Sequence, residues 1–499
     1  MNHFAKIVET VSLPTALKCT LLAGALTCLS GAAQAQKTGV EWVSTTPTAP
    51  WVTQTGLQTA AGSAVAASVV AADSVTAEIN VTQPQQAIEG FGACFNELGW
   101  TSLSVLAPAD RKTIMRELFA PGVGANFTIC RMPVGANDFS RDWYSYDETP
   151  GDFQLKNFSI ANDEQTLIPF IKQAQQYNPK LKLWASPWSP PTWMKYNGHY
   201  AAAVVKPEDA QRVSNGLKPE QAGREGTNMF RQEDKYLATY AQYFAKFVEA
   251  YRQRGIPISM VMPQNEFNSA QIFPSCTWTA AGLSRFVSHL GPLMQQQKVD
   301  VFFGTMERAN EALVDSVLAN PNSGKYIKGV GFQWAGKGAI AGIHQRYPNQ
   351  TLYQTEQECG DGQNDWKYCT YAWSLMRHYL TNGANAYLYW NISLREGGIS
   401  RWGWRQNSLV TVDEAKKTYR FNHEYYLLKH VSHYVQPGAK RLATSGPYTD
   451  LLAFQNPDKS LVLVLRNKTA APRTVYLKVG ARSLAPLLKA DSFNTLVLR

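Results

Sequence analysis

Apolar and polar positions fall into two textures along this chain. Between residues 87 and 392 a short apolar run is followed, again and again, by a polar or aromatic loop and a longer amphipathic segment. The runs are AIEGFGACF (87–95), FTICRMPVG (127–135), LKLWASPW (181–188), ISMVMPQNE (258–266), VDVFFGTME (299–307), IKGVGFQWA (327–335), TLYQTEQEC (351–359) and ANAYLYWNI (384–392). Near-continuous apolar runs of this length suit strands buried on both faces. The intervening stretches 110–119, 164–177 and 235–255 read as helices. In the last, Leu237, Tyr240, Tyr243, Phe244, Phe247 and Val248 recur at helical spacing, so their rings belong to a core stripe. Eight strand-then-helix units predict an α/β fold of the (β/α)8 barrel type. No GxGxxG opens a helix after the first run, which disfavours a dinucleotide fold.

The second texture begins near residue 420. LLAFQNPDKSLVLVLRNKT (451–469), RTVYLKV (473–479) and SFNTLVLR (492–499) alternate like strands, with Asn456-Pro457-Asp458 as a turn, and no helix is expected among them. Residues 64–82 carry β-branched side chains in partial alternation and predict one or two strands ahead of the barrel. Pairing them with the C-terminal strands makes an appended β-sandwich built from both chain ends. The expected divisions are a signal peptide at 1–35, N-terminal sandwich strands at 36–86, the barrel at 87–418 and the C-terminal sandwich at 419–499.

The signal reading comes from Lys6 and Lys18 near an apolar core (19–29) that precedes small residues ending Ala33-Gln34-Ala35. That core is too short to span a bilayer, and no later segment is long and apolar enough, so the protein is expected to be exported with no integral membrane segment left after cleavage. Cleavage after Ala35 removes Lys6, Lys18 and Glu9, and the net charge of +10 falls to +9. The remaining basic residues are scattered, so nucleic acid is a poor partner. Five cysteines stay in the mature chain: Cys94, Cys130, Cys276, Cys359 and Cys369. None has metal-ligand spacing, and no metal or cofactor is expected. An odd number leaves one unpaired, while export favours a disulfide somewhere among them.

Barrel enzymes carry their chemistry where strands end. The fourth run ends Pro263-Gln264-Asn265-Glu266, and the seventh contains Gln354-Thr355-Glu356-Gln357-Glu358. A lone Glu at a strand end is more often an ion-pair or loop anchor. Two, from opposite sides of one barrel mouth, suit glycoside hydrolysis, which needs a carboxylic acid on the leaving oxygen and a carboxylate at the anomeric carbon. Side-chain alternation does not separate Glu356 from Glu358, since positions two apart share a face.

Longer motifs decide between them. GFGACFNE (90–97), RMPVGANDFS (131–140), SPWSPPTWMKYNG (186–198), QNE (264–266), TEQECG (355–360) and WNISLREGG (390–398) together resemble glycoside hydrolase family 30, the glucosylceramidase-like family. The resemblance implies a retaining β-glycosidase, with Glu266 similar to the acid/base and Glu356 to the nucleophile. It also implies that Asn265 holds the sugar 2-hydroxyl, that Asp138 binds outer hydroxyls, and that Trp188 and Trp390 line the same subsite. The sequence departs from the family twice. Phe267 follows the acid where proline is usual, and Gln333 and Ala335 flank Trp334 where many members place His and Tyr. The role of that Tyr must then be absent or filled from elsewhere; Trp334 stays a candidate sugar contact.

The eighth-strand loop (394–414) resembles the glucosidase and β-1,6-glucanase branch. Its Arg395, Arg401, Arg405, Trp402 and Trp404 either bind glycan or brace the loop. The expected function is an exported retaining β-glycoside hydrolase acting on β-glucosidic linkages, glucosylceramidase-like or endo-β-1,6-glucanase-like, with a β-linked oligo- or polysaccharide or glycoside as its partner. The alternatives are the same mechanism on xylose, fucose or galactose linkages, or a noncatalytic glycan-binding protein, which would need neither carboxylate.

Overall fold

A computed structural model describes residues 39–57, 59–61, 75–206 and 212–499. The expected signal peptide at 1–35 and the first part of the expected 64–82 strands lie outside the described residues.

All eight apolar runs become parallel strands of one closed barrel. In chain order these are Gly90–Cys94, Ile129–Pro133, Lys182–Ser186, Met260–Val261, Asp300–Met306, Ile327–Gln333, Thr351–Glu356 and Ala384–Asn391, the eighth pairing with the first. Most of their residues are buried, as expected of strands with the barrel lumen on one face and helices on the other. Ile129, Trp184, Met260, Met262, Phe302, Tyr353, Ala386 and Leu388 fill the lumen, so the barrel is a packed core and not a pore.

Outer helices bury the stripe that their periodicity predicts. In Asp234–Gln253 this stripe is Leu237, Tyr240, Tyr243, Phe244, Phe247, Val248 and Tyr251. Helix starts are fixed by side chains that accept otherwise orphaned N–H groups: Asn96 takes that of Gly99, Thr279 that of Gly282 and Asp365 that of Tyr368.

A second, eleven-stranded sheet gathers both chain ends. Its path includes, in order, Val40–Thr45, Ser492–Leu498, Leu461–Asn467, Leu451–Gln455, Lys440–Ser445, Val75–Ala87, Arg473–Val479 and Arg482–Leu484. Trp42 near one end of this path and Leu484 near the other share one core with Ile79, Leu442, Leu463 and Leu496, so the sheet folds over on itself as two layers.

The expectation of strands alone beyond residue 420 needs correcting, because His423–Ser432 is a helix. Tyr425, Leu427, Leu428 and Val431 are its apolar face. Buried Glu424, His430 and Ser432 interrupt that pattern and hide the helical period. His430 is held by Thr495 (2.9 Å) and Thr45 (2.8 Å), one from each chain end. The expected disulfide is also absent: Cys94, Cys130, Cys276, Cys359 and Cys369 are all free and buried. Burial pushes the Cys130 and Cys276 thiols up to about 12, which keeps them unreactive.

Candidate active site

The fourth barrel strand leaves its ladder after Val261, earlier than the apolar run ends. Even so, Met262 and Asn265 still donate backbone N–H groups to Ala185 and Pro187 at 2.9 and 2.7 Å. The chain then turns at Glu266 with φ of 47°, the left-handed region that a side chain seldom adopts. Thr305, on the fifth strand, receives the Glu266 N–H at 2.9 Å and donates to Asn265 Oδ1 at 3.2 Å. The backbone is therefore held in an uncommon conformation by neighbours on both sides, as happens at functional positions. Phe267, where the family has proline, is buried against Phe303.

The seventh strand ends on Glu356. Its Oε2 meets Arg131 Nη1 at 2.9 Å, and its Oε1 receives the Trp334 indole N–H at 3.3 Å. Arg131 has no exposed surface. It also donates to Asn265 Oδ1 at 2.7 Å and to Ser186 Oγ at 2.9 Å, while its guanidinium lies over the rings of Trp184, Trp188 and Trp390. Gln333 ties the two sides together. Its Nε2 lies 3.1 Å from Glu266 Oε1, 3.3 Å from Glu356 Oε2 and 3.1 Å from Asn265 Oδ1. Donation to its Oε1 from Thr355 (2.8 Å) and Arg131 (3.4 Å) turns the amide so that its N–H groups face the carboxylates. Glu266 Oε2 takes a further bond from Gln271 at 3.2 Å.

These contacts make the two carboxyls unlike. Burial raises both. Glu356 is pushed up to about 7 even though the charge of Arg131, at contact distance, opposes its burial first. In Glu266 burial is opposed first by the neutral amides of Gln333 and Gln271, and only then by the charges of Arg131 and Arg308.

A cavity of about 240 Å³ opens over the pair, lined among others by Asp138, Trp188, Asn265, Trp334 and Trp404. Asp138 is 4% exposed and its Oδ1 has no partner. Burial and then the charge of Glu356 raise its carboxyl. Trp390 is different: it is fully buried behind Trp188, with ring centroids 5.2 Å apart, and is not part of the cavity wall. Glu358 lies past the strand end, paired with Lys337 (2.7 Å) and Tyr371 (2.8 Å) away from the cavity. A larger groove of about 550 Å³ sits where the fifth and sixth strands begin, at the other end of the barrel, and holds none of the candidate residues.

A family model for the glycosyl hydrolase family 30 TIM-barrel domain matches residues 88–211 and 216–435, and one for the family's beta sandwich domain matches 438–496. The chain belongs to glycosyl hydrolase family 30. It is a glycoside hydrolase, with the family's barrel and sandwich. It is 29% identical over 416 residues to the lysosomal acid glucosylceramidase of Mus musculus, covering 77% of this chain and 76% of that protein. An endo-1,6-beta-D-glucanase of Aspergillus fumigatus is 26% identical over 430 residues, with 80% and 82% covered. The solved structure of an endo-beta1,6-glucanase superposes with a TM-score of 0.75 at 24% identity, over 92% of this chain and 99% of that one.

Within this family-30 site, three features were not assigned from sequence. Arg131 stands at the centre of the second apolar run, where a charge demands a buried partner. Gln333 was noticed only as a departure from the family, yet it contacts both carboxyls. The donor to Glu356 expected from the family's Tyr is supplied by Trp334, whose own φ is 47°. The arginines of loop 394–414 act as braces: Arg395 pairs with Glu414, Arg401 with Asp142, and Arg405 reaches the Gly397 carbonyl.

Proposed function

We propose that this enzyme is an exported, retaining hydrolase of β-glucosidic linkages, with Glu356 as nucleophile and Glu266 as acid/base. The observation that carries the assignment is the unequal wiring of the pair, a buried guanidinium on Glu356 against neutral amides on Glu266. A nucleophile must be ionised and an acid must hold its proton, and a nearby cation favours ionisation. Distance supports retention. Gln333 Nε2 bridges the pair, 3.1 Å from Glu266 Oε1 and 3.3 Å from Glu356 Oε2, and two carboxyls that face each other across a single amide suit the close pair of a retaining enzyme.

In this mechanism the Glu356 carboxylate attacks the anomeric carbon while Glu266 gives its proton to the departing oxygen. The glycosyl ester neutralises Glu356, and Glu266, now ionised, takes a proton from water as that water displaces the ester. Asn265 is positioned by Arg131, Thr305 and Gln333 to meet the 2-hydroxyl, and Asp138 to receive outer hydroxyls. The glucosidic preference follows the named relatives, a glucosylceramidase and an endo-1,6-glucanase. Export rests on the composition of residues 1–35.

Glu356→Gln is expected to lower turnover of an aryl β-glucoside by about 10³-fold or more with the fold intact. Azide should partly restore a Glu266→Ala variant on an activated aryl glycoside, since the small anion takes the place of the water that needs a base. Full activity in the Glu356 variant removes the nucleophile assignment.

A further inference from the structure

One side of the cavity is not used by this chemistry. Asp138 and Trp188 follow the second and third barrel strands, whereas Glu307 and Arg308 follow the fifth, two to three strands further round the ring. Glu266, on the fourth, stands between them. With the cleaved sugar held toward Asp138 and Trp188, the group that leaves with the proton of Glu266 departs toward the fifth strand.

Glu307 is 1% exposed and forms part of the cavity wall. Its Oε1 accepts the Asn268 N–H and the Ser269 hydroxyl, both at 3.0 Å, from the segment directly after Glu266. Its Oε2 has no partner. Burial raises this carboxyl well above the ordinary Glu range, which favours its protonated form. Oε1 already accepts twice, which leaves the proton to Oε2 as an unused donor. Beside it Arg308 lines the same wall, steadied by Glu225 and by the Glu307 carbonyl at 3.2 Å. Gln271 adds an amide, and the rings of Phe273 and Trp404 pack edge to face.

We propose that Glu307 and Arg308 form a leaving-group subsite for a second sugar, so that this enzyme cleaves sugar–sugar linkages and not sugar–lipid ones. The inference rests on Glu266 being the acid/base. Sugar hydroxyls both donate and accept and would satisfy a buried acid, a guanidinium and an amide together; an alkyl chain would bury these groups without partners.

The experiment compares kcat/KM on a β-1,6-linked gluco-oligosaccharide, an aryl β-glucoside and a long-chain alkyl β-glucoside. The wild type should prefer the oligosaccharide to the alkyl glucoside. Glu307→Leu and Arg308→Ala should each lower the oligosaccharide-to-aryl ratio by about tenfold or more, and Glu307→Gln, which keeps a donor, should hold it within about threefold. Arg308 is partly exposed, so its variant reads the subsite without disturbing the interior. An unchanged ratio, a parallel loss on both substrates, or a wild-type preference for the alkyl glucoside overturns the proposal. Azide rescue of Glu266→Ala on the aryl glucoside tests the underlying assignment separately, because it does not involve the second sugar.

Discussion

The barrel mouth and the sandwich are buried to similar depth, but they bury opposite kinds of group. Beneath the cavity lie Arg131, Glu266, Glu356, Asp138 and Glu307, with two carboxyl oxygens lacking partners and two side-chain-bearing residues at positive φ, Glu266 and Trp334. The sandwich core is Trp42, Ile79, Leu442, Leu463, Leu477 and Leu496, and positive φ in that domain falls at turn residues such as Lys459 and Asp491. One region spends stability on preorganised charge, the other supplies it through apolar contact. The two should therefore differ in how substitution changes activity and in how its cost in stability depends on pH.

The sharpest test is Arg131→Met, which keeps an unbranched chain between the Trp rings but removes the charge. kcat/KM should fall by about 10³-fold or more, because Glu356 and Asn265 lose their common anchor. Denaturant unfolding should show a loss of about 3–5 kcal/mol from the unpaired buried carboxylate, shrinking on acidification as Glu356 takes up a proton. An active Arg131→Met enzyme would erase the distinction between the regions.

Leu463→Ala is the counterpart. It should cost about 2–5 kcal/mol in unfolding at any pH and leave kcat alone, since only packing is removed. A change in kcat without a change in stability would mean that the sandwich takes part in the chemistry.

His430 gives the smallest effect at neutral pH. Burial pushes its imidazole down to about 3. The unfolded chain binds its proton near 6.5, so the native state loses stability as pH falls from there toward 3. The buried carboxyls act the other way. Glu307, raised to about 8, and Glu424, raised to about 7, cost stability as pH climbs from the ordinary Glu range to those values. His430→Asn should flatten the acid side of a melting-temperature profile between pH 4 and 6.5, whereas Glu424→Gln should flatten its upper side. A His430 variant with the parent's acid slope would refute the first of these.

The barrel is readable from the sequence because each of its strands is a short, largely apolar run, and such runs differ in period from the amphipathic helices between them. Glu266 and Glu356 were readable because a carboxylate closing an apolar run has few structural uses. The helix at 423–432 was not readable, since the buried polar side chains that join it to both sandwich ends break the apolar period. Trp390 shows a second limit. A ring at a strand end can equally line a cavity or support the ring that does, and only packing against Trp188 and Arg131 tells these apart. Gln333 was hidden for a related reason, because its value lies in touching groups on the fourth and seventh strands at once, which no local pattern records.

Strand Ser492–Leu498 lies between Val40–Thr45 and Leu461–Asn467, and Trp42 donates its indole N–H to Asn494 across 452 residues of chain. As the chain emerges from the ribosome, Val40–Thr45 can pair at once with Val52–Thr53 on one side, but its other edge waits for Ser492–Leu498. Closing so long a loop is slow compared with forming the local barrel contacts, so the barrel has time to assemble while the sandwich waits. A chain stopped a few residues early would hold most of a barrel beside an open sheet edge, and open edges invite aggregation and degradation.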